Sequence, residues 1–358
     1  MAFVSRAVRT AWLSPRSCMV SKRRSHVFRS VSELRSHRRD LLLAGKTIGL
    51  VPTMGALHAG HLSLVRRAAE ENSHVFVSIY INPTQFGQNE DLASYPKTWD
   101  SDMALLQDLD ASLKESGSGG RVEAVFAPTT KEMYPTVPPD SSLPGKGTFV
   151  TITPLAGLLE GRSRPVFFRG VATVCTKLFN IVQPERVYFG QKDVQQSVVI
   201  KRLVKDLHMP IDVRIISTER ESDGLAMSSR NVYLGERRRA VGVVLSRALR
   251  AAETAYKSGI QDRDGILAPA HAVLDSEAAL QSRLADDESA RFEVDYISLA
   301  DSDNLEEVQM VKPSQGAVLS GAIKMLPLTT TRTDERLGQG EDKLPVRLID
   351  NIILMPKP

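Results

Sequence analysis

Cysteine is nearly absent: Cys18 and Cys175 are the only two in 358 residues, and they lie far apart. Neither a disulfide framework nor a thiolate zinc site is expected from two such residues, and Cys175 reads as a small buried helix residue. No run of roughly 18 consecutive apolar residues occurs, so no membrane span is expected. Internal repeats are also missing. Acidic residues are absent from positions 1–32, which carry Arg6, Arg9, Arg16, Lys22, Arg23, Arg24 and Arg29. The rest of the chain then holds 39 of the 46 basic residues against all 42 acidic ones, a balance of −3 where the whole chain shows +4. The basic excess thus belongs to the tail alone, and no nucleic-acid partner is expected of the body. An Arg- and Ser-rich, acid-free tail with scattered apolar residues has the composition of a mitochondrial transit peptide; the alternative is a disordered terminus without an address. The expected location is mitochondrial or cytoplasmic.

What remains has the composition of a globular protein, 42% hydrophobic and 25% charged, with length enough for two domains. Residues 33–44 read as a helix stopped by Gly45. TIGLVPTM (47–54) reads as a buried strand, 61–72 as a helix with Leu62, Val65 and Ala69 on one face, and HVFVSIYI (74–81) as the next strand. Strand, helix and strand in this compass imply a parallel pair. The alternation continues: helix 98–113, strand 121–128, helix 171–183, strand 186–189, helix 193–208, strand 212–218, with ESGSGG as a surface loop. The economical fold is a Rossmann-like doubly wound α/β sheet over residues 33–217. Beyond it, helices at 234–257 and 264–276 precede strands near 293–300, 317–325 and 346–354, the pattern of a smaller α+β domain over 218–358. Residues 328–344 are polar and contain glycine, and read as a mobile insertion within it.

The first chemical signal is Met54-Gly55-Ala56-Leu57-His58-Ala59-Gly60-His61, between the first strand and its helix. Ligands of such sheets bind at the carboxyl ends of the strands, where a helix offers free N–H groups suited to phosphate. His58 and His61 stand three apart at the helix start, so both can face one anion and donate to charge that builds on an α-phosphate. A metal pair or two capping histidines are the alternatives, but a third ligand such as the Glu of HExxH is not nearby.

His-x-Gly-His in this setting resembles the signature of the HIGH-motif nucleotidyltransferase superfamily, whose members attack the α-phosphate of a nucleoside triphosphate. The flanking sequence narrows the resemblance. VPTMGALHAGHLSLVRRA, SIYINPTQF, EDLASYPKT, FAPTTKEMYP, LLEGRSRP, FRGVATVCTKLFNIVQPERVYFGQKDVQQ and DGLAMSSRN are similar, in order, to the motifs of the pantothenate synthetase (pantoate–β-alanine ligase) family. The likeness runs almost unbroken over 33–235. It weakens afterwards to VDYISLAD and RLIDN.

The resemblance implies condensation of pantoate with β-alanine at the expense of ATP, through a pantoyl adenylate. Its runner-up is another HIGH-motif nucleotidylyltransferase. It implies that His61 and His58 act on the α-phosphate within an ATP site formed by residues 54–61, Gly190, Gln191, Lys192, Asp193, Glu219, Met227, Ser228, Ser229 and Arg230. Gln85 and Gln196 are implied to hold pantoate or β-alanine, with Asn82, Tyr95 and Arg169 as further candidates. The residue types suit those roles. Lys192 is a compact charge for phosphates, Asp193 an acceptor for ribose hydroxyls, and Arg230 a planar fork for phosphate oxygens. Read alone, GQKD is a turn with a helix cap, SSR a solvated turn, and Arg169 half of a structural ion pair. Mg²⁺ is expected on the phosphates without a dedicated protein site, and the family implies a homodimer. Two departures from the family stand out: Val166-Phe167 where Gly-His is usual, and Glu219 where a small apolar residue is usual.

Overall fold

Strands that will be covered on both faces need apolar residues at nearly every position, and IGLVPT and HVFVSI meet that need. The computed structural model describes residues 25–87, 92–93, 95–136, 138–139, 142 and 146–356. It gives strand β1 (His26–Phe28), helix α1 (Val31–Leu43), β2 (Ile48–Thr53), α2 (Ala59–Glu71), β3 (His74–Ile79), α3 (Trp99–Glu115), β4 (Arg121–Phe126), α4 (Thr130–Met133), α5 (Glu160–Ser163), α6 (Phe167–Val182), β5 (Arg186–Gly190), α7 (Val194–Asp206) and β6 (Asp212–Ile216). The tail expected over 1–32 is shortened by this. Positions 1–24, with Cys18, lie outside the described residues, but β1 and the start of α1 are ordered structure. A three-residue strand carries too little periodicity to be read. The start of α1 was better signalled, because Ser30 is a side-chain N-cap with Glu33 three residues on: the Ser30 hydroxyl accepts from the Glu33 N–H at 3.3 Å and donates to its carboxylate at 2.7 Å.

The six strands form one parallel sheet in the order β1-β4-β3-β2-β5-β6. Alternate residues point to opposite faces. Ile48, Leu50 and Phe76 pack with α1, α6 and α7 through Leu34, Ala172, Phe179 and Val199. Val51, Val75 and Val77 pack with α2 and α3 through Val65, Ala69, Leu106 and Leu109. Each such side chain contributes about 1.5–3 kcal/mol when fully buried, which fixes the register of the sheet. Cys175 is buried in α6, and burial pushes its thiol up to about 12.

The order reverses at β2. β3 lies on one side and β5 on the other, so the connections leaving β2 and β5 diverge over opposite faces. β2 and β5 pair only at Gly49–Arg186 and Leu50–Val187 and then part toward their carboxyl ends. This crevice is the switch point where such sheets bind ligands.

The remainder comprises α8 (Glu236–Gly242), α9 (Val244–Lys257), α10 (Arg263–Arg283), β7 (Phe292–Ala300), β8 (Ala317–Met325) and β9 (Val346–Leu354). The last three make an antiparallel sheet in sequence order, packed against α9 and α10 through Leu245, Leu249, Ile266, Leu319 and Ile323. The single helix expected over 234–257 is two: the chain breaks at Val243, after Gly242, whose missing side chain makes room for Leu348. The helix expected over 264–276 runs on to Arg283 because EAALQSR favours helix. Residues 328–344, read as mobile, carry no helix or strand, yet Asp342 in this segment is buried. Among the described residues no helix is long and apolar enough to cross a membrane.

Candidate active site

The loop after β2 is shaped by its backbone. Gly55 and Ala56 both hold positive φ, +83° and 51°, and for alanine this conformation costs about 1–3 kcal/mol. The side chain that compensates comes from α3. Asp102, 1% exposed, accepts from the Ala56 N–H at 3.0 Å and the Leu57 N–H at 2.8 Å. Thr53 ties the loop start down, donating to the Ser78 carbonyl at 2.7 Å and accepting from the Gly55 N–H at 3.2 Å.

His58 is the N-cap of α2, and its Nδ1 accepts from the Gly60 N–H at 3.1 Å. The proton of the neutral ring therefore sits on Nε2, free to donate. A side-chain carbon at position 60 would meet the His58 ring at 2.9 Å, so a larger residue there would displace the ring. The His58 and His61 rings lie 4.1 Å apart between centroids. Burial lowers His58 to about 4, helped by Lys192 and opposed by Asp193 and Glu221. Burial, then His58 and Lys192, lower His61 to about 3. Both rings are neutral hydrogen-bonding groups at neutral pH.

One cavity of about 830 Å³ opens from the crevice between β2 and β5. Met54, His58, Gly60 and His61 line one wall; Gly190, Lys192, Asp193 and Gln196 line another; Glu219, Met227, Ser228, Ser229 and Arg230 close it from the segment beyond β6. Gly55, Ala56, Leu57 and Ala59 are not part of the wall, and their contribution is the shape of the loop. Asp193 is positioned as the N-cap of α7 but makes no side-chain capping bond, which leaves its carboxylate to the cavity. Gln191 faces away: its amide donates to Asn351 at 3.2 Å, and Asn351 in turn donates to the carbonyls of Gln191 and Lys192 at 2.8 and 2.9 Å. The Glu219 carbonyl accepts from the Met227 N–H at 3.0 Å, pinning the start of the SSR turn.

Gln85 ends a short 3₁₀ turn, Pro83–Gln85, after β3. Its oxygen accepts from Asn82 at 3.1 Å and its amide nitrogen lies 3.2 Å from the Met54 sulfur. Asn82 is held by Tyr134, which donates at 2.7 Å, and itself donates to the Gly170 carbonyl at 3.1 Å. Gln85, Asn82 and Tyr95 all line the cavity, and the Tyr95 hydroxyl is 3.5 Å from that of Ser229. Buried polar atoms without a protein partner gather here as well: His61 Nδ1, Ser78 Oγ and Thr218 Oγ1. Atoms so placed can be met by a polar ligand or by water.

Arg169 is not brought to the cavity. It donates to the Ser142 carbonyl at 2.7 Å and stacks over Phe149 at 4.1 Å. Phe167, one of the two departures, does line the wall, with the Arg164 guanidinium 3.7 Å above its ring. Three residues that place the site were not legible as such in the sequence. Asp102 and Asn351 act on loops far away in the chain, and Glu160 meets Arg347 of β9 across the cavity mouth. The motifs LLEGRSRP and RLIDN were the only signals for the last two.

Fold and cavity together define an α/β enzyme of nucleotide chemistry, with two neutral histidines, a lysine and a hydroxyl-rich turn around one cleft. The family model described as pantoate-beta-alanine ligase matches residues 26–353. A pantothenate synthetase of Roseiflexus castenholzii is 43% identical over 328 residues, covering 92% of this chain and 99% of that one. One of Roseiflexus sp. is 46% identical over 285 residues, covering 80% and 90%. The crystal structure of pantothenate synthetase from Thermus thermophilus superposes with a TM-score of 0.72 at 36% identity, covering 92% of this chain and 100% of that one. The pantoate-beta-alanine ligase of Francisella tularensis, complexed with beta-gamma ATP and beta-alanine, gives 0.64 at 29% identity, covering 92% and 97%. The chain belongs to the pantoate–β-alanine ligase family.

Proposed function

We propose that the cleft condenses pantoate with β-alanine to pantothenate by way of a pantoyl adenylate, releasing AMP and pyrophosphate. The pantoate carboxylate attacks the α-phosphorus of ATP and expels pyrophosphate; the β-alanine amine then attacks the adenylate carbonyl and expels AMP. The observation that carries the reading is the convergence of His58, His61, Lys192 and the Ser228–Arg230 turn with Gln85 and Gln196 on one 830 Å³ cavity. Catalysis here is placement and charge stabilisation, with no covalent nucleophile. His58 and His61 donate to the charge that develops at the α-phosphate. Lys192, Ser228, Ser229 and Arg230 hold the triphosphate, Asp193 accepts from the ribose, and Gln85 and Gln196 orient pantoate.

A Mg²⁺ would arrive with the ATP phosphates, held largely by their oxygens and by water. Bound there, it would neutralise phosphate charge. Pairing of two copies and an address in residues 1–24 are part of the same proposal; sedimentation velocity and a fluorescent fusion of that segment read them.

The test is turnover by the full chain with ATP, Mg²⁺, pantoate and β-alanine, each omitted in turn. AMP and pantothenate are expected in equal amounts and only in the complete mixture. His61→Ala is expected to abolish pantoate-dependent exchange of pyrophosphate into ATP while the protein stays folded. Undiminished exchange would remove His61 from the first step.

A further inference from the structure

Residues 328–344 form no regular element, yet they are bound along their length to the segment that follows the Ser228–Arg230 turn. The Val232 carbonyl accepts from the Gln339 N–H at 2.9 Å, and the Arg336 carbonyl from the Glu236 N–H at 2.9 Å. Asp342 accepts from the Gly235 N–H at 2.9 Å and from Arg238 at 3.0 Å, in an ion pair whose two side chains are both 0% exposed. Arg237 reaches back to Glu335 through two nitrogens at 2.8 and 2.7 Å. The approach is close enough to dictate sequence: a side-chain carbon at Gly338 would sit 2.4 Å from the Tyr233 carbonyl group.

A fully buried ion pair costs several kcal/mol per charge to desolvate, and in some proteins such pairs fix a geometry more than they stabilise the fold. The geometry fixed here is the far end of the 3₁₀ turn Ser229–Tyr233. Its middle is held separately, by Asn231 donating to Glu221 at 2.9 Å and to the Ala226 carbonyl at 3.1 Å. Tyr233, on the turn, and Leu344, at the end of the segment, both line the cavity.

We propose that residues 328–344 are a brace that sets the position of the Ser228–Arg230 turn, making Asp342 and Gly338 positioning residues for ATP. The inference rests on the reading that this turn holds the triphosphate. The brace acts through the backbone of residues 232–236, so it governs how well the turn is formed before ATP arrives.

The test uses Gly338→Ala in the full chain, whose added carbon meets backbone and cannot swivel away. Overpacking of this kind predicts a roughly tenfold rise in KM for ATP, with KM for pantoate and β-alanine unchanged. Hydrogen exchange at the amides of Asn231 and Leu234 should quicken in the ligand-free protein. Should Gly338→Ala fail to fold, Glu335→Gln, which removes the charge facing Arg237, is expected to act in the same direction more weakly. Ordinary exchange with ordinary kinetics would overturn the brace. So would quickened exchange with an unchanged KM for ATP, provided Arg230→Ala raises that KM. If Arg230→Ala leaves KM for ATP unaltered, the triphosphate assignment itself falls, and the positioning role falls with it.

Discussion

Both oxygens of Asp102 are committed to the loop that carries the two histidines, through the Ala56 and Leu57 amides. An asparagine there keeps one acceptor and turns an N–H toward another N–H. Asp102→Asn should cost about 1–3 kcal/mol in stability, read as a lower midpoint in urea. It should also lower kcat/KM for ATP, because the strained Ala56 backbone loses its support. A variant with unchanged midpoint and kinetics would show that the loop holds its shape without the carboxylate. That the histidines, Lys192, Gln85 and Gln196 would meet at the cavity could be expected from the sequence, because each sits in a local motif near a strand end. Asp102 could not. It lies on a helix where one acid among several marks nothing, and its partners are 45 and 46 residues away. Arg169 shows the converse: a motif position whose side chain the fold directs to Phe149 and the Ser142 carbonyl.

Among the elements, β9 does more than complete a small sheet. Arg347 pairs with Glu160 of α5 and with Asp295 of β7; Asp350 takes a two-pronged bond from Arg220 at 2.6 and 2.9 Å; Asn351 holds the turn after β5. One strand thus grips three segments that border the cleft. Arg347→Met leaves Glu160 buried without its cation and should destabilise by roughly 3 kcal/mol. Adding Glu160→Gln should recover much of the loss. Additive effects in thermal unfolding of the single and double variants would mean that the pair is not coupled. The strands and the long helices were legible because hydrophobic periods of two and of 3.6 residues are local properties. β1 was too short to show a period. The close fit of Gly242 against Leu348 joins residues more than 100 apart and cannot be seen in a helical pattern. Residues 328–344 read as loose because polar sequence reports solubility and does not report a buried partner such as Arg238.

At the scale of the molecule, the two neutral histidines contribute to how stability responds to acid. In the unfolded chain both titrate near the ordinary value of 6.5; in the folded chain they are lowered to about 4 and about 3. Below pH 6.5 the unfolded state takes up protons that the folded state refuses, so stability falls as pH falls toward 4. The loss between pH 7 and pH 5 is on the order of 2 kcal/mol per histidine at most. Urea unfolding at the two pH values should show it, and replacing both histidines with glutamine should flatten it. An unaltered slope in that variant would assign the acid sensitivity elsewhere. The crevice is set by the strands themselves. β2 and β5 are joined only through Gly49 and Leu50, and Pro52 has no N–H to extend the ladder. A sheet zipped at one end and parted at the other is mechanically a pair of jaws with its pivot in the core, so substrates enter without prising any strand from its neighbour.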